Sequence, residues 1–220
     1  MRKRMTRKEI REDAFVAFFV KVHEYIKTHQ NYLFTALIVV IIIVSGIVWY
    51  SNHLEYSEIQ SLNRFSEGLT LYRQGETSSA EDIFKSVRNA YGDSKHGIFA
   101  RYFAGKCALA EGRNTDAIDY FNDYLNNCNE YPFYREPSKI AIAVAYENDR
   151  DFEKAAEIYV ELALKESSTE NDGSFLEKAA ELYKLAGKKG KAVELLEQAR
   201  EFKEGLAKRE IQLKIDILRG

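Results

Sequence analysis

The side chains able to do chemistry are few. Four histidines occur: His23, His29, His53 and His96. No two have the i, i+4 spacing that sets a pair of imidazoles on one helix face for zinc, and no acidic partner completes a motif. They are expected at surfaces or interfaces. Cys107 is expected in the first helix of a helical hairpin and Cys128 at the end of its second helix. Antiparallel packing would hold them roughly 10 Å apart, beyond disulfide reach, so both are expected to be idle thiols. There is no phosphate-cradling Gly loop, no Ser nucleophile elbow and no Cys-x-x-Cys. Carboxylates such as Glu194, Glu197 and Glu201 fall on solvated helix faces. The expectation is a protein with no active site, no metal, no cofactor and no small-molecule substrate, and not an enzyme.

The elements that would carry any function are clearer. Of 220 residues, 45% are hydrophobic and 30% charged, which excludes wholesale disorder. Only 2 Pro and 12 Gly interrupt the chain, which favours an all-α protein over a turn-rich β fold. The net charge of -2 hides a split. Residues 1–32 carry eight basic and four acidic side chains, and residues 33–50 carry none. Residues 51–220 carry 24 basic and 30 acidic side chains, which argues against nucleic-acid binding.

The uncharged stretch LFTALIVVIIIVSGIVWY would span about 27 Å as a helix. Asn31, Tyr32, Trp49 and Tyr50 at its ends suit the two boundaries of a bilayer. No small-residue cleavage site follows Trp49, so an uncleaved single-pass signal anchor is expected. Six Lys/Arg among the first 11 residues predict a cytoplasmic N-terminus and, in a bacterium, a periplasmic acidic body. The predicted organisation is a basic cytoplasmic segment over 1–32, an inner-membrane anchor over 33–50 and a helical connector over 51–57. A repeat domain then fills 58–220. Within the basic segment, Phe15, Phe18, Phe19, Val22 and Ile26 recur at helical spacing over 14–29. This is either an amphipathic helix on the inner leaflet or a cytosolic docking helix for a membrane partner.

The acidic body has a period. Gly68, Gly105, Ala143 and Ala180 are spaced by 37, 38 and 37 residues. Seven residues after each come Gly75, Gly112, Arg150 and Gly187. Twelve after come Ala80, Ala117, Ala155 and Ala192, and sixteen after come Phe84, Phe121, Tyr159 and Leu196. Small residues let two antiparallel helices approach, and the large residue fills the space to the next pair. Gly75, Gly112 and Gly187 are expected to end the first helices at positive φ. Thr77, Asn114 and Asp151 are expected to cap the second helices. Such hairpins bury their apolar faces only by stacking. A last helix over 204–218, with Leu206, Ile211, Leu213, Ile217 and Leu218 apolar, would cap the stack.

The blocks YRQGETSSAEDIFKSV, ALAEGRNTDAIDYFNDYL, YENDRDFEKAAEIYVEL and YKLAGKKGKAVELLEQA resemble the tetratricopeptide repeat family over most of residues 58–202. The resemblance implies a right-handed α-solenoid of about four helical hairpins, whose first helices line a partner-binding groove. That groove would take Leu62, Phe65, Leu69 and Tyr72 from the first unit, and Phe99, Tyr102, Lys106 and Leu109 from the second. Ile140, Val144 and Glu147 would follow, then Glu177 and Glu181, giving an aromatic first half and an acidic end. An extended or helical apolar segment would suit it. The whole layout also resembles the YfgM-like ancillary subunit family of the bacterial SecYEG translocon. That resemblance implies a membrane-anchored adaptor whose partners are translocon subunits, a periplasmic chaperone or newly exported chains. The alternatives are a structural scaffold in a division or secretion complex, and a cytosol-facing organelle receptor.

Overall fold

The computed structural model of the protein describes residues 7–164 and 170–220. Arg2, Lys3 and Arg4 of the basic segment lie outside the described residues, as does the side chain of His53. Every described element is helical. The chain divides into two compact units, Met1–Tyr56 and Ser57–Gly220.

In the first unit the helix α1 (Arg7–Gln74) begins, with a break in helical φ/ψ at His29. Every described side chain from Phe34 to Tyr50 is exposed. Over this stretch α1 is long and apolar enough to cross a membrane, with a mean hydropathy of 2.4.

The second unit contains the end of α1 and the hairpins that follow. These are α2 (Thr77–Ala90), α3 (Lys95–Ala110), α4 (Asn114–Asn127), α5 (Arg135–Asn148) and α6 (Phe152–Ala163). Then come α7 (Glu170–Leu185), α8 (Lys189–Glu201) and α9 (Gly205–Arg219). A 3-10 turn, Pro132–Tyr134, lies in the connection between α4 and α5. Each helix from α2 on packs against the next in sequence, as in a solenoid.

The turns inside the hairpins repeat one geometry. Gly75, Gly112 and Gly187 have φ of 83°, 73° and 76°. Arg150 takes the equivalent position at φ 60°, a conformation that costs a non-glycine residue about 1 kcal/mol. In each turn the next amide reaches back to the first helix: Glu76 to the Leu71 carbonyl at 3.0 Å, Arg113 to Ala108 at 2.9 Å, Asp151 to Tyr146 at 2.9 Å, and Lys188 to Tyr183 at 2.8 Å. This closes the helix with a six-residue loop-back bond.

The expected caps are only partly formed. The Asp151 carboxylate accepts from the Lys154 amide at 3.3 Å. Thr77 and Asn114 instead lie one residue inside α2 and α4, behind Glu76 and Arg113. The turn is so short that consecutive turns stack along one edge, and these side chains reach the next turn. Thr77 donates to Glu111 at 2.7 Å, and Asn114 donates to Asp149 at 2.6 Å.

One link of this edge is buried. The Glu81 carboxylate is 2% exposed and accepts from the Arg113 guanidinium, the Lys85 ammonium and the Tyr120 hydroxyl. The Arg113 side chain is 36% exposed and also holds Glu111 and Asp116. The asymmetry sets an expectation. Arg113→Met leaves a buried carboxylate short of one donor and costs about 3 kcal/mol, the low end for a broken buried pair because Lys85 remains. Replacing both as Glu81→Leu/Arg113→Met recovers most of that loss. A urea-denaturation double-mutant cycle checks it, and an additive cycle overturns it.

The interior forms two clusters that meet at α5. Phe65, Phe84, Phe121 and Tyr124 belong to the first, and Tyr159, Leu182, Leu196 and Ile211 to the second. Ile142 joins the first and Ala143 the second, while Tyr146 and Ile158 touch both. At the C-terminal end, α9 covers the last hairpin with Ile211 and Ile215 buried and Leu218 half-buried. Leu206, Leu213 and Ile217 face solvent. The helix has neighbours on one side only, so the 211, 215, 218 register takes the core and the rest of the apolar pattern does not.

Candidate partner-binding face

The groove residues read from sequence fall into three groups. Phe65, Phe99 and Tyr102 are only 6%, 8% and 9% exposed. The Phe65 ring packs among Phe84, Phe103 and His96, with centroids 5.5, 5.4 and 5.6 Å away. These three rings fill the interior between neighbouring hairpins, so most of their surface is spent on the fold. Leu69, Leu109 and Ile140 are half-buried and pack on the two clusters. Val144 is half-buried on α5. Leu62, at 46%, is exposed. Tyr72 stays partly open beneath the Lys106 ammonium, 5.5 Å from its ring centre, a cation–π contact.

What covers the α3 rings is the α4–α5 connection. Tyr134 stacks on Tyr102 at 4.3 Å with the planes 5° apart. Tyr131, Phe133 and Tyr134 all meet Phe99 edge-on, at 6.1, 6.1 and 5.1 Å. The connection is pinned by the Tyr124 hydroxyl, which donates to the Tyr131 carbonyl at 2.6 Å and accepts from the Tyr134 amide at 2.9 Å. Burial raises the pKa of the Tyr124 and Tyr102 hydroxyls, so both stay neutral. Phe133 itself remains 71% exposed. These connector aromatics are absent from the sequence-based groove. The signal was the one-residue-longer period and the YPFY run, which put three rings in a segment with no helical phase.

The acidic end is also altered. Glu147 accepts from Lys178 at 2.8 Å. Glu177 is paired with Lys203 and Lys214 at 3.5 and 3.2 Å. Glu181 is exposed. Two of the three carboxylates are therefore neutralised in place. A cleft of 420 Å³ lies elsewhere, lined by α4, α5 and α6 and including Leu125, Ile142, Tyr146 and Ile158. Lys139 and Glu161 close across it as an ion pair.

The thiols and imidazoles have structural settings. Cys107 and Cys128 are buried and unbridged. Burial pushes the Cys107 thiol up to about 12, which makes it unreactive at neutral pH. Among the described residues no group of His, Cys, Asp and Glu could hold a metal ion.

His96 tethers α3 to α1. The Ser61 hydroxyl donates to the Glu58 carbonyl at 2.7 Å, so His96 Nδ1–H donates to Ser61 Oγ at 3.0 Å, beside the Glu58 carboxylate at 3.1 Å. Burial and the Lys95 charge hold the His96 pKa below 6.5, against the pull of Glu58. The folded state thus favours the neutral ring. That contribution is complete above pH 6.5 and is lost as pH falls through the lowered folded value. Acidification from pH 7.5 to 5.5 is expected to lower the urea midpoint, and to lower it less in His96→Gln. Equal slopes in the two proteins would count against this role.

No protein-family model matches the sequence, and no curated protein is significantly similar to it in sequence. Solved structures are similar in fold. Two crystal structures of TPR-like repeats of a kinesin light chain from Podosopora anserina, one of them a single-substitution variant, superpose with a TM-score of 0.51. The identities are 15% and 16%, and the match covers 71% of this chain and 83% of the other. At that identity the likeness is one of fold: the helical hairpins of this chain stack as a tetratricopeptide-like solenoid.

Proposed function

We propose that the protein is a membrane-anchored adaptor that binds other proteins through its helical repeats. The observation that carries this is the uncharged helix from Phe34 to Tyr50, exposed at every position. At about 25 cal/mol per Å² of apolar surface, so many exposed Ile, Val and Phe side chains are strongly unfavourable in water and favourable in hydrocarbon. A bilayer supplies that environment. The basic N-terminal segment orients the chain with its N-terminus in the cytoplasm and the repeats across the membrane, in the periplasm of a bacterium. The repeats then hold a partner beside the membrane rather than catalyse a reaction. Following the resemblance to the ancillary translocon subunits, that partner is a translocon subunit, a periplasmic chaperone or a newly exported chain.

Exposed Leu62 and Phe133, with the Lys106–Tyr72 pair, offer an apolar and aromatic surface suited to an apolar peptide segment. A photocrosslinker replacing Phe133 tests the reading better than one at Tyr102, which is covered. Adducts to translocon subunits, periplasmic chaperones or exported chains are expected. Adducts confined to division, secretion-system or cytosolic proteins would discard the translocon assignment.

A further inference from the structure

We infer that residues 15–28 of α1 form a second membrane contact, lying in the plane of an anionic bilayer surface. The inference rests on the reading of residues 33–50 as a membrane crossing. Its first support is a face. At 100° per residue, Tyr25, Phe18, Val22, Phe15, Ile26 and Phe19 fall in that order within an arc of about 120°. Five of the six are exposed and Val22 is half-exposed. The phenylalanine rings contact one another, Phe15 to Phe19 at 4.7 Å and Phe18 to Phe19 at 5.9 Å. Lys21 lies about 40° beyond the Tyr25 edge of this arc, and Lys27 and Glu24 lie on the far side, beside Val16 and Val20. An interfacial helix presents such an aromatic face to the acyl boundary, with the Lys21 stem along its edge and the charged groups at headgroup level.

The second support is the break. His29 has φ -112° and ψ 16°, outside helical values, so the helix direction can change there. Its Nδ1 lies 3.1 Å from the Tyr25 carbonyl and its ring stacks on Tyr25 at 4.5 Å. Only residues 30–32 separate this break from the uncharged stretch. If residues 33–50 cross the bilayer, the end of the aromatic face must therefore sit at its surface. The third support is charge. Residues 1–14 carry six basic and three acidic side chains, and residues 15–28 two basic and one acidic. This excess complements anionic lipid, which attracts basic residues held near its surface.

The test uses the full chain in vesicles, spin-labelled at Phe18→Cys, Glu24→Cys or Val40→Cys. Both native cysteines are buried, so the introduced ones take the label. Accessibility to a water-soluble nickel chelate is compared with that to oxygen. In vesicles containing phosphatidylglycerol, chelate accessibility at position 18 should be roughly fivefold below that at 24, matching a depth of about 5–10 Å, with position 40 protected throughout. In pure phosphatidylcholine the protection at 18 should weaken. Position 18 as accessible as 24 while 40 stays protected would overturn the inference and leave the anchor standing. Protection at 18 that appears only in native membranes, and not in protein-free lipid, would overturn it in favour of a protein partner. Equal protection at 18 in both lipids would overturn the anionic requirement. Free chelate access at position 40 would overturn the crossing and, with it, this inference.

Discussion

Gly97→Ala is expected to destabilise the repeat domain by about 3 kcal/mol, the upper range for forced overpacking. A Cβ on Gly97 would lie 1.8 Å from the Tyr91 carbonyl oxygen and 2.5 Å from its carbonyl carbon. Backbone cannot swing aside as a flexible side chain can. The segment from Tyr91 to Gly97 is also tied at several points. Ser94 caps α3, its hydroxyl donating to the Tyr91 carbonyl at 2.8 Å and accepting from the Gly97 amide at 3.1 Å. Arg101 donates to the carbonyls of Gly92 and Gly97 at 2.8 and 3.0 Å. Moving the start of α3 to admit a methyl group would disrupt this set together. Gly190→Ala in α8 is the matched control, since its Cβ would meet nothing within 4 Å and alanine favours the helix by about 0.8 kcal/mol. Urea denaturation of both variants decides. Similar, small changes in the two would show that the connection between α2 and α3 yields freely.

Phe121→Ala is expected to cost about 3–5 kcal/mol, much of the stability of an ordinary domain. The Phe121 ring is fully buried and lies against Gly105 in the preceding helix, where a Cβ would come within 2.8 Å of the ring edge. Tyr102 is 5.6 Å away on the same side. Removing the ring leaves a cavity between α3 and α4 that their backbones cannot close. Because each hairpin contacts only its neighbours, the damage should stay in the first cluster. Hydrogen exchange should therefore rise over α3 and α4 while the Leu182, Leu196 and Ile211 region stays protected. The same contact predicts a compensating pair. Gly105→Ala alone crowds the ring, and Gly105→Ala/Phe121→Leu should be more stable than the sum of the two single changes implies. Uniform loss of protection along α2–α9 would mean that the two clusters unfold as one.

How much of this was legible follows from how far each feature depends on distant residues. The phase of the hairpins was readable because it is written twice, in the small residues that face a ring and in the turn glycines. Gly68 faces Phe84 as Gly105 faces Phe121, and the positive φ of Gly75, Gly112 and Gly187 follows the same period. Arg150 shows the limit of reading by residue type, since it takes φ 60° at the same phase without being glycine. The candidate face was less legible. The family resemblance placed Phe65, Phe99 and Tyr102 on the first-helix side, but it could not tell a groove wall from an interior. That depended on Tyr131–Tyr134, an irregular connection with no periodicity to betray where its rings would go.

By itself, then, the sequence determined what is local or periodic: an uncharged apolar helix over residues 33–50, the helical hairpins, and where their turns reverse. Backbone propensity and a repeated small–large pattern suffice for these, because each involves only residues within one or two turns of a helix or one period away. The tertiary structure decided which side chains remain available. It covered Phe99 and Tyr102 with the connection, left Phe133 and Leu62 open, and neutralised Glu147 and Glu177 with lysines from neighbouring helices. It also moved the expected caps Thr77 and Asn114 onto the next turn. Burial and pairing are settled by whichever groups approach from elsewhere in the chain, and no spacing within a single helix specifies them.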